Sequence, residues 1–278
     1  MASQSFGDIA ERLRRSTVHV TEGSGGQQGS GSGVIWNADG LILTNAHVAR
    51  SDRPRIELWD GRAFEGQVDK RDSRRDLAAV RIPARDLPAS TPGDSRALRA
   101  GELVMAVGNP MGFIGALTTG VVHGQGPLRG LGRQSWVQAA VRLAPGNSGG
   151  PLADAQGRVI GINTMVVSGG LALAIPSHAV QQFVQSKASR QMLGITVQPV
   201  RGGLLILEVA PGGPAALASL LIGDLLIAVN GKPFQSAEEL GDAVDDANSG
   251  ILTLSFLRGD RRVQREVHVR LFAQGAAA

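Results

Sequence analysis

The chain has 278 residues and no cysteine. Neither a disulfide nor a thiolate-held metal can contribute to its fold. No apolar run reaches the roughly 20 residues that cross a bilayer as a helix. The stretch from Met1 to Val18 has no apolar centre of the signal-peptide kind. Phe6, Ile9, Ala10 and Leu13 instead recur at helical spacing and predict a short amphipathic helix. As written, this start favours a cytoplasmic protein, with a periplasmic mature form as the alternative if a signal has been removed. Charge is also sparse, at 19% of residues with a net +4. The densest basic run, Lys70 to Arg75, is interrupted by aspartate and reads as a solvated loop, not a nucleic-acid surface. No cluster of carboxylates and histidines suggests a metal, and no cofactor is expected. The Gly29–Gly33 run precedes a strand and does not open a helix, so it is no dinucleotide loop. Nothing else resembles a nucleotide loop either, which points to ATP-independent chemistry by ordinary side chains.

What the chain does have is apolar residues (42%) and 38 glycines, enough for a buried core threaded by tight turns. From Ser16 to about Pro176, short strands alternate with turns. Asp39-Gly40 and Asp60-Gly61 mark hairpins. Many strands without a long helix predict an all-β region of two packed barrels, with a seam over Thr91 to Ala100. Ser177 to Ser186 has helical spacing, and Lys187 to Arg190 reads as a linker. A smaller α+β module follows. A capping box at Ser236–Glu239 opens its helix, and Asn230-Gly231 makes a tight turn. The expected organisation is an N-terminal segment (1–15), a β domain (16–187), a small α+β domain (188–272) and a tail (273–278).

Gly146-Asn147-Ser148-Gly149-Gly150-Pro151 is the most informative stretch. A serine hydroxyl is a weak nucleophile until a base takes its proton and a third group orients that base. Upstream stand His47, in Thr44-Asn-Ala-His-Val48, and Asp76, in Asp76-Leu-Ala-Ala-Val80. The order His, Asp, Ser suits a triad with His47 as base and Asp76 as its orienting carboxylate. The turn Gly146, Asn147, Ser148 would form the oxyanion hole, with the backbone N–H groups of Gly146 and Ser148 turned inward. Taken singly, each residue has a plainer reading: a structural histidine, a surface ion pair beside Arg74 and Arg75, a serine in a glycine turn. The joint pattern favours catalysis.

The chain resembles bacterial HtrA/Deg-type serine proteases of the trypsin-like class with one C-terminal PDZ domain. The resemblance rests on Gly31-Ser-Gly-Val-Ile35, Asp39 to Val48, Asp76 to Val80, Gly108-Asn-Pro-Met-Gly112, Pro145 to Leu152, Gly161 to Thr164 and Ala174 to Ser177. In the second module it rests on Leu193-Gly-Ile195, Gly213 to Ala216, Gly223-Asp224 and Val229 to Lys232. It implies a chymotrypsin-like double β-barrel followed by a PDZ domain, and an endopeptidase acting on unfolded or misfolded polypeptides. It further implies an S1 pocket of Leu143, Val166 and Val167 that takes small aliphatic residues. A homotrimer or higher oligomer is implied too, with Phe6 and Ile9 as candidate contacts. The PDZ groove would hold C-terminal or extended peptides with Met192, Leu193, Gly194, Ile195, Leu240 and Val244. The family usually places an Asp eight residues and an Asn four residues before the serine. Ala140 and Ala144 stand there instead. These departures keep open a second reading, a non-catalytic binding protein.

Overall fold

A computed structural model describes residues 5–22, 29–128, 131, 134–167, 170–186, 191–234, 237–245, 247, 250–259 and 263–273. The chain divides into two compact units, Met1–Ser186 and Lys187–Ala278. The expected linker 187–190 and Ser236 of the expected capping box lie outside the described residues.

In the first unit, helix α1 (Phe6–Arg15) is opened by a reciprocal pair, Ser5 and Asp8, each side chain bonding the other's backbone. Strands β1 (Thr17–Thr21), β2 (Ser30–Ile35), β3 (Leu41–Thr44), β4 (Arg55–Glu57), β5 (Ala63–Glu65), β6 (Gln67–Asp72) and β7 (Leu77–Arg81) follow. They pair in the order β5-β4-β1-β2-β3-β7-β6. The N–H groups of Gly66 and Val68 bond the carbonyls of Pro54 and Asp52, linking the two ends of this path. The sheet is thereby rolled into a barrel.

The second sheet contains β8 (Thr91–Pro92), β9 (Leu103–Gly108), β10 (Ala116–Pro127), β11 (Ser135–Ala140), β12 (Pro151–Asp154), β13 (Arg158–Val167) and β14 (Leu171–Pro176). Six of them close fully, β12-β9-β10-β11-β14-β13 and back to β12, while β8 lies parallel to β13. Helix α2 (Ser177–Gln185) ends the unit.

Period-two alternation sorts the side chains. Ile35, Ile42, Ala78 and Val80 fill the first barrel. Their neighbours Val34, Leu41, Leu43, Leu77 and Ala79 face the other way and meet Trp136, Ile162, Leu173 and Ile175 of the second barrel, with Val180 and Phe183 of α2. In β9, Val104 and Ala106 point into the second barrel, while Met105 and Val107 lie beneath Ile9 and Leu13 of α1. Ile9 is thus committed to its own chain's core and is not available as an oligomer contact, whereas Phe6 is 51% exposed.

The second unit has β15 (Gln191–Met192), β16 (Ile195–Val200), β17 (Gly203–Val209), α3 (Pro214–Leu217), β18 (Leu225–Val229), β19 (Lys232–Pro233), α4 (Ala237–Asp245), β20 (Ile251–Leu257), β21 (Gln264–Arg270) and β22 (Phe272–Ala273). The main sheet runs β16-β17-β18-β20-β21, with β16 at its edge. Asn230 and Gly231 both take positive φ, as a tight hairpin turn demands. The core joins Leu204, Ile206 and Leu226 to Leu240 and Val244 of α4. Buried Asp224 is held by both Nε and Nη2 of Arg258, at 2.7 and 2.6 Å.

Candidate active site

His47 and Asp76 come together because β3 and β7 are antiparallel, with Thr44 opposite Ala78. The residues just past the end of β3 therefore lie beside those just before β7. Asp76 accepts twice from His47, from the backbone N–H at 3.0 Å and at Nδ1 at 2.7 Å. A carboxylate can only accept, so Nδ1 carries the hydrogen and Nε2 is left as the basic nitrogen. The histidine side chain is 44% exposed, which leaves Nε2 reachable. Asp76 sits at φ 55°, a left-handed conformation. Strain there costs about 1–2 kcal/mol, offset by the amide of Asn45, which donates to the Asp76 carbonyl at 2.9 Å.

The second barrel supplies Ser148 by similar logic. Pro151 at the start of β12 pairs with Ile162, so the preceding turn lies along the far half of β13. On β13 the register jumps from Asn163 to Met165 while β14 advances by one residue, from Ala174 to Leu173. Thr164 is the extra residue, a bulge that turns its side chain out of the ladder. Its hydroxyl donates to Asp76 Oδ2 at 3.1 Å and accepts from Asn45 Nδ2 at 2.6 Å. Its carbonyl accepts the Ser148 hydroxyl at 2.9 Å. Thr164 thus touches both Asp76 and Ser148. The Ser148 hydroxyl is turned to this carbonyl and not to His47.

Most backbone groups of the turn around Ser148 have a partner. The Asn147 N–H bonds the Ala144 carbonyl, and the Gly146 carbonyl accepts the Ser32 hydroxyl at 2.7 Å. The Asn147 carbonyl accepts the Gly150 N–H, and the Ser148 carbonyl accepts the Ser32 N–H. The Gly149 N–H bonds the Asn163 carbonyl. Within this turn, from Gly146 to Gly150, only the N–H groups of Gly146 and Ser148 have no acceptor among the described residues, two neighbouring donors of the kind an oxyanion needs. Asn147, expected in the same hole, contributes no free backbone donor. It is 5% exposed and helps shape the turn. Gly146 has φ 103°, and an added Cβ would stand 2.7 Å from the Asn109 carbonyl oxygen. Asn109 in turn bonds Ser32 Oγ through its backbone N–H. Asn45, Thr164, Ser32 and Asn109 were visible only as parts of motifs. Their roles depend on contacts between segments far apart in sequence.

Residues 31–162 match the trypsin-like peptidase domain family, and residues 205–258 match the PDZ domain family. The chain is 36% identical over 275 residues to the putative serine protease HhoA of Synechocystis, covering 86% of this chain and 70% of that one. The chain belongs to the HtrA-type serine proteases. A probable periplasmic DegP-like serine endoprotease of Pseudomonas fulva is 37% identical, over 88% of this chain and 57% of its own length. The chain spans less than two thirds of several such relatives. A crystal structure of the serine endoprotease from Yersinia pestis matches 99% of this chain and 100% of its own at 29% identity and a TM-score of 0.73.

Within this HtrA-type chain the expected S1 residues do not all converge. Val166 pairs across the sheet with Ala172, so the two share a face. Ala172 belongs to the interior of the second barrel, against which Leu143 also packs. Val167 points to the opposite face and packs against the core between the barrels. The bulge at Thr164 resets the alternation there, so Val166 and Val167, both implied by the resemblance, lie on opposite faces of β13. Ala144 supplies its carbonyl to the Asn147 N–H, so the turn closes without an asparagine side chain at that position. In the second unit, Leu193, Leu240 and Val244 share one apolar cluster with Ile195. Gly194 has φ 74°, and Met192 lies in β15 with its side chain outside what is described.

Proposed function

We propose that the chain is an ATP-independent serine endopeptidase that cuts unfolded polypeptides after small aliphatic residues. The observation that carries this reading is the pairing of a doubly bonded His47–Asp76 couple with two acceptor-free N–H groups at Gly146 and Ser148. Ser148 is the nucleophile. A rotation about its Cα–Cβ bond takes Oγ from the Thr164 carbonyl towards His47 Nε2, a tightening common when substrate arrives. His47 accepts the proton, Asp76 stabilises the imidazolium, and oxygen attacks the scissile carbonyl. The N–H groups of Gly146 and Ser148 receive the oxyanion, and His47 returns the proton to the leaving amine. Leu143 and Val166, with Ala172 beneath, favour a small aliphatic side chain next to the cut bond.

The second unit holds C-terminal peptides as an added strand beside β16 for protein quality control. The N–H groups of Leu193 and Gly194 have no acceptor among the described residues and suit a terminal carboxylate. Ile195, Leu240 and Val244 provide the apolar floor. A homotrimer or higher oligomer is part of this reading, with exposed Phe6 as the remaining N-terminal contact. Relatives named as periplasmic favour that compartment over the cytoplasm.

The test is hydrolysis of unfolded casein by wild type and Ser148→Ala, with product termini sequenced. Cleavage after Val, Ala or Leu by wild type alone is the expected result. Equal cleavage by both proteins, or none by either with C-terminal peptide added, sinks the proposal in favour of a binding protein.

A further inference from the structure

The loop that follows β9 carries two adjacent exposed apolar side chains, Phe113 at 68% and Ile114 at 41%. The base of that loop is fixed. Asn109 donates its backbone N–H to Ser32 Oγ and its side-chain amide to the Val18 carbonyl, each at 2.8 Å. Its Oδ1 accepts the Gly115 N–H, also at 2.8 Å, and so closes the loop on itself. The Phe113 N–H bonds the Pro110 carbonyl within it. At Gly115 an added Cβ would run into the side chain of Arg14, so that end of the loop rests on α1. Apolar groups held in solvent by a backbone fixed at both ends mark a place where another chain is met.

The loop adjoins the oxyanion turn on the side away from β13. The Gly149 N–H bonds the Asn163 carbonyl and Ser148 Oγ the Thr164 carbonyl, so one end of the turn rests on β13. Gly146, at the other end, lies against the Asn109 carbonyl oxygen and Pro110 Cα, 2.7 and 2.8 Å from where its Cβ would stand. A scissile carbonyl received by the N–H groups of Gly146 and Ser148 therefore has β13 on one side and the loop 109–115 on the other. Past Ile162, the edge of β13 turned away from β14 carries no strand among the described residues. Substrate before the cut bond takes that free edge as an added strand. The part after the cut runs over Gly146 towards Phe113 and Ile114. Side chains of an extended chain alternate, so the second residue after the cut shares the enzyme-facing side with the residue before it, about 7 Å further on. We infer that Phe113 and Ile114 receive a bulky apolar side chain at the second position after the cut bond. This rests on the endopeptidase reading above and adds to it a second point of selection. The substrate class narrows accordingly. A small aliphatic residue followed two places later by a large apolar one is the inward face of a β-strand, a pattern that a folded protein hides and an unfolded one exposes.

The experiment measures kcat/KM of the full chain on internally quenched peptides, with the cut position read by mass. All carry valine before the cut bond and differ only in the second residue after it, which is phenylalanine, alanine or aspartate. Phenylalanine is expected to exceed alanine by about tenfold, the effect of burying part of a ring, and aspartate to fall below alanine. Phe113→Ser combined with Ile114→Ser is expected to bring the phenylalanine-to-alanine ratio below about threefold. The ratio is taken within one protein, so a change in overall rate or folded fraction cancels. A ratio near one in the unsubstituted chain overturns the preference. A ratio unchanged in the double variant overturns the assignment to these two residues. A double variant that loses the same factor on all three peptides and sediments as a smaller species overturns it in favour of a contact between copies. No cleavage of any peptide, or equal cleavage by Ser148→Ala, is a failure of the endopeptidase reading itself and removes this proposal with it, a result distinct from a change in ratio.

Discussion

Thr164 acts through two oxygens that point to different partners. Its hydroxyl supports the Asp76 carboxylate and its carbonyl holds the Ser148 hydroxyl. Thr164→Val keeps the shape and the carbonyl but removes one hydrogen bond to a charged group. Such a bond contributes about 1.5–3 kcal/mol, and valine also leaves the Asn45 amide with one acceptor fewer. The expected outcome is a fall in kcat of about tenfold or somewhat more, with KM little changed, measured on a peptide with valine before the cut bond. A fall confined to KM would mean that the residue serves substrate binding instead. Gly146→Ala tests the neighbouring donor. The left-handed φ and the close Asn109 carbonyl leave no room for a methyl group without tilting the peptide. Losing one oxyanion donor costs about 100- to 1000-fold in rate. Activity should fall by that order at temperatures where the variant stays folded, with a lowered thermal midpoint from the same strain, and an unchanged rate would remove Gly146 from the hole.

At the scale of elements, α1 shows how a short helix divides its two faces. Leu13 is 2% exposed against Met105, Val107 and Ala153, whereas Phe6 stands out from the surface. Leu13→Ala leaves a cavity and is expected to destabilise the first unit by about 2–5 kcal/mol, read from denaturant midpoints. Phe6→Ser should change that midpoint by less than about 0.5 kcal/mol. If it serves the oligomer proposed above, its effect should appear in sedimentation as a smaller species, and an unchanged sedimentation coefficient would exclude Phe6 as a contact. The helix was readable from the sequence because Phe6, Ile9, Ala10 and Leu13 recur at one period. What covers it was not, because Met105 and Val107 belong to a strand about ninety residues further on. The same division applies at the site. His47, Asp76 and Ser148 stand in recognisable local contexts, whereas the bulge at Thr164 exists only through pairing with β14. That bulge sets Val167 on the face opposite Val166, which a motif match does not reveal. Asn147 sat in the right turn, but its N–H is bonded within that turn, a detail that depends on backbone direction and not on residue type.

At the scale of the whole molecule, two histidines tie the first unit's stability to pH. Burial pushes His19 below the ordinary imidazole value, against a smaller opposing pull from Glu57. Burial also lowers His178, with nearby Arg96 acting in the same direction and Asp94 against it. The hydrogen bonds agree for His178. Ser95 Oγ accepts from the His178 backbone N–H and lies 2.8 Å from Nδ1, so it can give its own proton to a neutral ring. A protonated ring would bring a second hydrogen to that contact. The folded state therefore binds these protons less readily than the unfolded chain, whose imidazoles titrate at about 6.5. Where the unfolded state holds more protons, stability rises with pH. The contribution is full above about 6.5 and is lost as pH falls through the lowered folded values. Thermal midpoints of the first unit should fall as pH is lowered from about 7.5 to 5. His178→Gln and His19→Gln together should flatten that slope at pH values above the carboxylate range. A slope equally steep in the double variant would assign the acid sensitivity to other groups, and a midpoint that rises on acidification would reverse the direction of both histidine shifts.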